Sequence, residues 1–227
     1  MNLLLTILFD GITYASWLFV VALGLTLVFG VLKILNIAHG SFYAVGAYAG
    51  ASLVAWTMSL QISPALGVVA LLMAAVGVAA LVGIAVLCGV VTWWVLNRTR
   101  KGKIVTAVIH SAEVASSMGV KVSRIYTGAF TAGVFLAAIG GALTAPMISV
   151  QPGLSVGVII TSFAVVIIGG LGSIEGAAIG ALIVGLARAA SVHIWPPAEL
   201  FSIYVVMAAI LVFKPEGLFQ RTQARKI

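Results

Sequence analysis

The chain has 227 residues, 63% of them hydrophobic and only 7% charged, with a mean hydropathy of +1.25 and a formal charge of +7. Soluble globular domains carry about 25% charged residues, so this composition excludes them and points to a membrane protein. The apolar runs are of helical length and lack the ten-residue alternation of a membrane β-barrel, so the expected fold is all-α: a polytopic helical bundle forming one domain, 1–227.

In chain order, the start MNLLLTILFDG has no basic n-region and carries Asp10 where a cleavable signal has small apolar residues, so it reads as mature chain. Runs 12–32 and 37–57 follow as two spans. Asn36, His39 and Gly40 fall where one ends and the other begins, and glycine lets the backbone break there. Asn36 and His39 then have two readings: they line a route for a polar solute at a broken helix, or they cap helix ends at a turn. Gly46 and Gly50 have the small-xxx-small spacing of close helix packing.

Run 64–96 holds 33 residues without a charge or a clear turn. As one helix it measures about 50 Å against a hydrocarbon core of about 30 Å, whereas two spans need about 40 residues and a turn. Cys88, the single cysteine, lies inside this run and reads as core filler.

The segment 98–124, RTRKGKIVTAVIHSAEVASSMGVKVSR, holds six of the twelve basic residues and one acidic one. Val105, Val108, Ile109, Ala112, Ala115 and Ser116 place apolar or small residues at three- and four-residue spacing, which predicts one short amphipathic helix stopped by Gly119. Runs 125–145, 154–171, 177–194 and 200–213 bring the bundle to about seven spans. Gly172, Gly176 and Gly180 repeat the packing spacing, and the surrounding glycines lack the G-x-G-x-x-G pattern and strand of a nucleotide loop. Arg188 lies within a span, so it faces the interior, where it is a candidate for the solute pathway, or snorkels outward near His193.

Cytoplasmic loops of membrane proteins collect Lys and Arg. Placing 98–124 in the cytoplasm puts eleven of the twelve basic residues on that side: Lys33, the loop, Lys214, Arg221, Arg225 and Lys226. The outside turns 58–63, 146–153 and 195–199 then carry none, the N-terminus lies outside and the C-terminus inside. The positive charge is thereby assigned to orientation, and no nucleic-acid partner is expected. The sequence contains no G-x-x-x-x-G-K-[ST] loop, no carboxylate deep in a span of the kind proton-coupled carriers use, and no catalytic or metal-ligand constellation. No catalytic residue, metal site or cofactor is assigned, and the chain does not read as an enzyme.

Glu113-Val114-Ala115 followed after three residues by Gly119 resembles the EAA loop of ABC-transporter permeases, with Val114 in an alanine position and His110 where the branched-chain family tends to be acidic. ALGLTLVFGVLKILNIAHGSFYAVGAYAG (22–50), GGLGSIEGAAIGALIVG (169–185) and LVFKPEGLFQR (211–221) closely resemble the permeases that import branched-chain amino acids, of the LivH-like type, with Glu175 where proline is usual.

The resemblance implies a permease in the bacterial inner membrane that translocates branched-chain amino acids, or related small polar solutes such as urea or amides. It further implies cytoplasmic ABC ATPase subunits, a second permease subunit and a periplasmic or extracellular solute-binding protein as partners, beside membrane lipid. His110, Glu113, Ala115 and Gly119 would belong to the loop that docks the ATPase. Members of the family continue after the third span with a basic stretch and further membrane segments, whereas here GIAVLCGVVTWWVLNRTR runs straight on. An internal deletion with its junction near 85–92 is expected, and loss of an even number of spans keeps every later segment correctly oriented. The alternative is a deleted paralogue that does not transport, or a structural membrane protein.

Overall fold

Apolar on every side, the first helix can be buried on every side, and it forms the post of the bundle. In the computed structural model, which describes residues 2–59 and 64–219 with the side chains of 57–59 and 64–79 excepted, α1 spans Leu3–Leu32. Its Leu18, Val20, Val21, Ala22, Leu23 and Leu25 are sealed from the surface. α2 (His39–Ser59), α3 (Pro64–Arg98), α4 (Arg100–His110), α5 (Ala112–Ser117), α6 (Val122–Thr144), α7 (Leu154–Gly169), α8 (Ile174–Ile194) and α9 (Glu199–Phe213) follow. A short 3-10 turn, Pro196–Ala198, precedes α9, and no strand occurs among the described residues.

All seven apolar runs of the sequence form helix. Among the described residues, five helical stretches are long and apolar enough to cross a membrane: α1, Ala80–Arg98 of α3, α6, α8, and Pro196–Phe213. α7 is shorter, at 16 residues. The ambiguous run 64–96 is one continuous helix within α3. The expected outside turn 58–63 and the basic residues Arg221, Arg225 and Lys226 lie wholly or partly outside the described residues.

Backbone-close contacts fix the relative directions. Gly46 faces Ala138 and Gly50 faces Ala142, so α2 runs parallel to α6. Gly133 meets Val28 and Gly24 while Gly140 meets Val21, so α6 runs antiparallel to α1. Gly185 packs on Gly11 and Ala15 and Gly30 lies against Gly172, so α8 is also antiparallel to α1. α7 and α8 form a hairpin in which Gly176 approaches Gly169 and Gly180 approaches Val165.

One end of the bundle therefore gathers Lys33, the α3–α4 junction, the Gly170–Ser173 turn and the segment after α9, whose Leu218 and Phe219 N–H groups donate to the carbonyls of Ile168 and Gly169 (both 2.9 Å). Asp10, Arg188, His193 and Glu199 lie at the other end. The expected clustering of Lys33, the 98–124 segment and Lys214 on one side thus has a geometric counterpart.

Candidate functional site

The polar segment 98–124 folds at the basic end as two short helices, where the spacing predicted one. Thr99 bends the chain out of α3: its hydroxyl donates to Val95 O (2.6 Å) and accepts from Gly102 N–H (3.0 Å). α4 ends at His110, whose Nδ1 donates to Thr106 O (2.9 Å). Ser111 then adopts an extended conformation (φ −155°, ψ 104°), and its hydroxyl accepts from Val114 N–H (3.3 Å) to start α5. Serine competes for backbone hydrogen bonds and favours such a cap over a helix interior. The apolar spacing spans both helices, so it could not show the break; Ser111 ahead of Ala112-Glu113 was the available signal.

Gly119 stops α5 as expected. Its φ of +85° belongs to the left-handed region, its N–H donates to Ser116 O (2.9 Å), and Val120 N–H donates to Ala115 O (3.0 Å). This paired closure is the Schellman motif, which satisfies carbonyls the helix would leave open. Ala115 points inward and is buried, while Glu113 and Gly119 are exposed. Val114, already noted in an alanine position of the motif, and Met118, to which the sequence reading gave no role, share the outer surface: they are 58% and 80% exposed, one turn apart. Behind them, α4 rests on the bundle. A cavity of about 20 Å³ between α1, the end of α3, α4 and the turn before α8 is lined by Thr26, Gly30, Leu96, Thr106, Ile109 and Gly172 among others.

The second candidate cluster lies inside the bundle. Lys33 closes α1 with φ +58°. After 34–38, α2 starts at His39, which is fully buried and whose Nε2 donates to Val21 O (3.0 Å), since a carbonyl can only accept. Nδ1 of His39 and Nδ2 of Asn36 are buried without a partner. Gly40 lies against the backbone of Ser155 and the side chain of Ile159, at the start of α7. His39 and Gly40 are thus sealed into the junction of α1, α2 and α7, and Asn36 O accepts from His39 N–H (3.1 Å).

Arg188 is not brought to that junction. It pairs with Glu199 and stacks over the Tyr14 ring, with its guanidinium carbon 4.2 Å from the centroid. Nearby, His193 Nε2 meets Asp10 Oδ2 at 2.7 Å. Among the packing glycines, Gly46 and Gly50 hold α2 to α6, and Gly176 and Gly180 hold α8 to α7. Gly172 precedes α8 and forms a turn at φ +86°, so it is not on the α8 ladder, and its close approach is to Gly30 of α1 instead.

The model of the family described as branched-chain amino acid transport system / permease component matches residues 7–88 and 83–213. The high-affinity branched-chain amino acid transport system permease protein LivH of Escherichia coli is 22% identical over 297 positions, covering 97% of this chain and 96% of the relative. BraD of Pseudomonas aeruginosa, a permease protein of the same description, is likewise 22% identical, with 97% of each chain covered. The fructose import permease protein FrcC of Rhizobium meliloti is 39% identical over 112 residues, 46% of this chain and 31% of the relative. No solved structure matches.

An alignment of 297 positions exceeds the 227 residues present, so the excess is sequence of the relative with no counterpart here. The two family matches meet at 83–88, inside α3, which places the internal deletion at the long helix. Matched across nearly its whole length, the chain belongs to the family of branched-chain amino acid transport permeases.

Proposed function

We propose that the chain is the membrane-spanning permease subunit of an ABC importer for branched-chain amino acids in the bacterial inner membrane. It works with two cytoplasmic ATPases, a second permease subunit and an external solute-binding protein. The observation that carries this reading is the α4–α5 loop: a capped, closed helix that presents Val114 and Met118 among Lys and Arg at the basic end of a family permease. Lys- and Arg-rich ends face the cytoplasm. The N-terminus is thereby outside, and α4–α5 lies where an ATPase can reach it. The chain has no P-loop, so ATP is hydrolysed by the partner.

Mechanically, α5 seats in a cleft of the ATPase through Val114 and Met118, with Glu113 and His110 at its rim. Closure of the ATPases pushes α4 against α1 and the turn before α8, whose residues line the small cavity beneath it. α1 and α8 are locked together through Gly11, Ala15 and Gly185, so they move as one body. Asn36, His39, Gly40 and Arg188 act in holding the framework: the first three fix the start of α2, and Arg188 ties α8 to α9 at the outer end.

Co-expression of the tagged chain with its candidate ATPase and second permease, followed by mild extraction, tests the docking. Wild type retains the ATPase, whereas Glu113→Lys, Met118→Asp and Gly119→Trp lose at least most of it. No protein atom lies within 4 Å of where a Gly119 Cβ would sit, but at φ +85° any side chain strains the closure of α5, so the tryptophan disturbs the end of the docking helix as well as the partner's approach, and Glu113→Lys and Met118→Asp test the surface alone. Equal retention by all three variants would remove α4–α5 as the docking element.

A further inference from the structure

Two segments of irregular backbone, 33–38 and 145–153, lead to helices that begin inside the bundle. α2 runs parallel to α6 and α7 runs antiparallel to it, yet the starts of α2 and α7 touch at Gly40 and Ser155. The two helices therefore diverge from one internal point toward opposite ends. That point lies deep: His39 bonds to Val21, eleven residues before Leu32, or about 16 Å up the helix from its basic end at 1.5 Å per residue. Between Asp10 and Lys33, α1 carries no charge, so Val21 lies near the middle of its apolar length. Residues 33–36 run without regular structure, a turn closed by His39 N–H to Asn36 O follows, and the His39 side chain supplies the rest of the reach to Val21.

The backbone of these segments is poorly satisfied. The N–H groups of Ile34, Leu35, Asn36, Ile37 and Ala38 have no hydrogen-bond partner among the described residues, and neither do those of Ser149, Val150, Gln151 and Gly153. Their surfaces are open: Ile34 is 64%, Leu35 51% and Ile37 75% exposed, and Ser149 and Gln151 are exposed as well. Lipid offers no hydrogen bonds, and each unpaired group in hydrocarbon costs several kcal/mol, so such backbone is stable at membrane depth only against water or protein. Segment 33–38 rises from the basic end to the junction, and 145–153 descends to the same junction from the C-terminal end of α6. Thr144, at the end of α6, bonds to Tyr43 one turn into α2, so the two segments meet inside the bundle as one seam that runs from the basic end to that depth.

We infer that this seam, lined by 34–38 and 149–153, is the water-exposed wall of the solute route. Open backbone N–H and C=O groups suit the ammonium and carboxylate of an amino acid, and Ile34, Leu35 and Ile37 suit its apolar side chain. The inference deepens the importer reading by locating its path on main-chain groups rather than on His39 or Arg188.

The single cysteine makes the test direct. In a Cys88→Ala background, single cysteines replace Leu35, Ile37, Ser149 and Gln151, with Val205 and Val212 on exposed α9 as lipid-side controls and exposed Glu216, after α9, as an aqueous control. A charged, membrane-impermeant methanethiosulfonate is applied from both sides of membranes holding the whole assembly, with and without ATP. Thiols react as thiolates, which form in water, so the four seam positions should react at least about tenfold faster than the α9 positions in one nucleotide state. Rates as slow as the α9 controls, or seam cysteines that instead cross-link to the second permease, would overturn the inference. ATPase retention is measured on the same samples. Loss of the importer reading appears as a missing ATPase, whereas loss of this inference appears as unreactive seam cysteines, whichever way retention falls.

Discussion

Gly46 shows how single residues set this bundle. A Cβ there would overlap the Ala138 backbone of α6, so any side chain forces two helices apart. Overpacking of this kind costs about 1–3 kcal/mol. Gly46→Val should lower the midpoint of thermal unfolding in detergent, and an unchanged midpoint would show that α2 and α6 are free to separate there. His39 is the opposite case, a polar residue held inside by one bond. His39→Gln retains a donor toward Val21 O, while His39→Ala removes it, and losing a buried hydrogen bond costs about 1–3 kcal/mol. The alanine variant should therefore be the less stable of the two, and equal midpoints would deny the bond a structural role. Sequence spacing made Gly46 and Gly50 legible as packing residues, since four-residue periodicity is a property of the helix itself. Which of the two readings of His39 holds was not legible, because its partner Val21 lies on another helix.

At the scale of elements, helices were legible wherever an apolar run had ends, and illegible where polar residues decide. The break between α4 and α5 rests on the Ser111 cap, worth roughly 1 kcal/mol in other helices. Ser111→Ala should speed amide hydrogen exchange across 113–118 while leaving α1 and α8 unchanged, and exchange as slow as wild type would mean that packing of Ala115 alone maintains α5. The start of α7 at Leu154 was legible in the apolar run 154–171, but a hydropathy run says nothing of the depth at which a helix starts. Gly172 likewise shares the spacing of a helical ladder with Gly176 and Gly180, but the turn it forms precedes the helix. In α3, hydropathy alone shows no junction; the family resemblance placed it near 85–92, and the two family matches overlap at 83–88.

For the whole molecule, the distribution of Lys and Arg favours one orientation, and the helix directions fixed by backbone contacts allow it. The charge rule depends on loops, so it gives an orientation even where an even number of spans is missing. The deletion bears on function more than on fold: α3 and α9 keep broad exposed apolar faces, among them Leu87, Val90, Trp94, Phe201 and Val205, in a bundle that still encloses α1. In the proposed account, import rests on the retained core of α1, α2, α6, α7 and α8. The measurement that bears on this most directly is ATP-driven uptake of labelled leucine into proteoliposomes holding the chain, its second permease and the ATPases, with binding protein added outside. The account predicts uptake that requires ATP and is lost with Gly119→Trp. A wild-type assembly that retains its ATPase and hydrolyses ATP yet accumulates no leucine would contradict it.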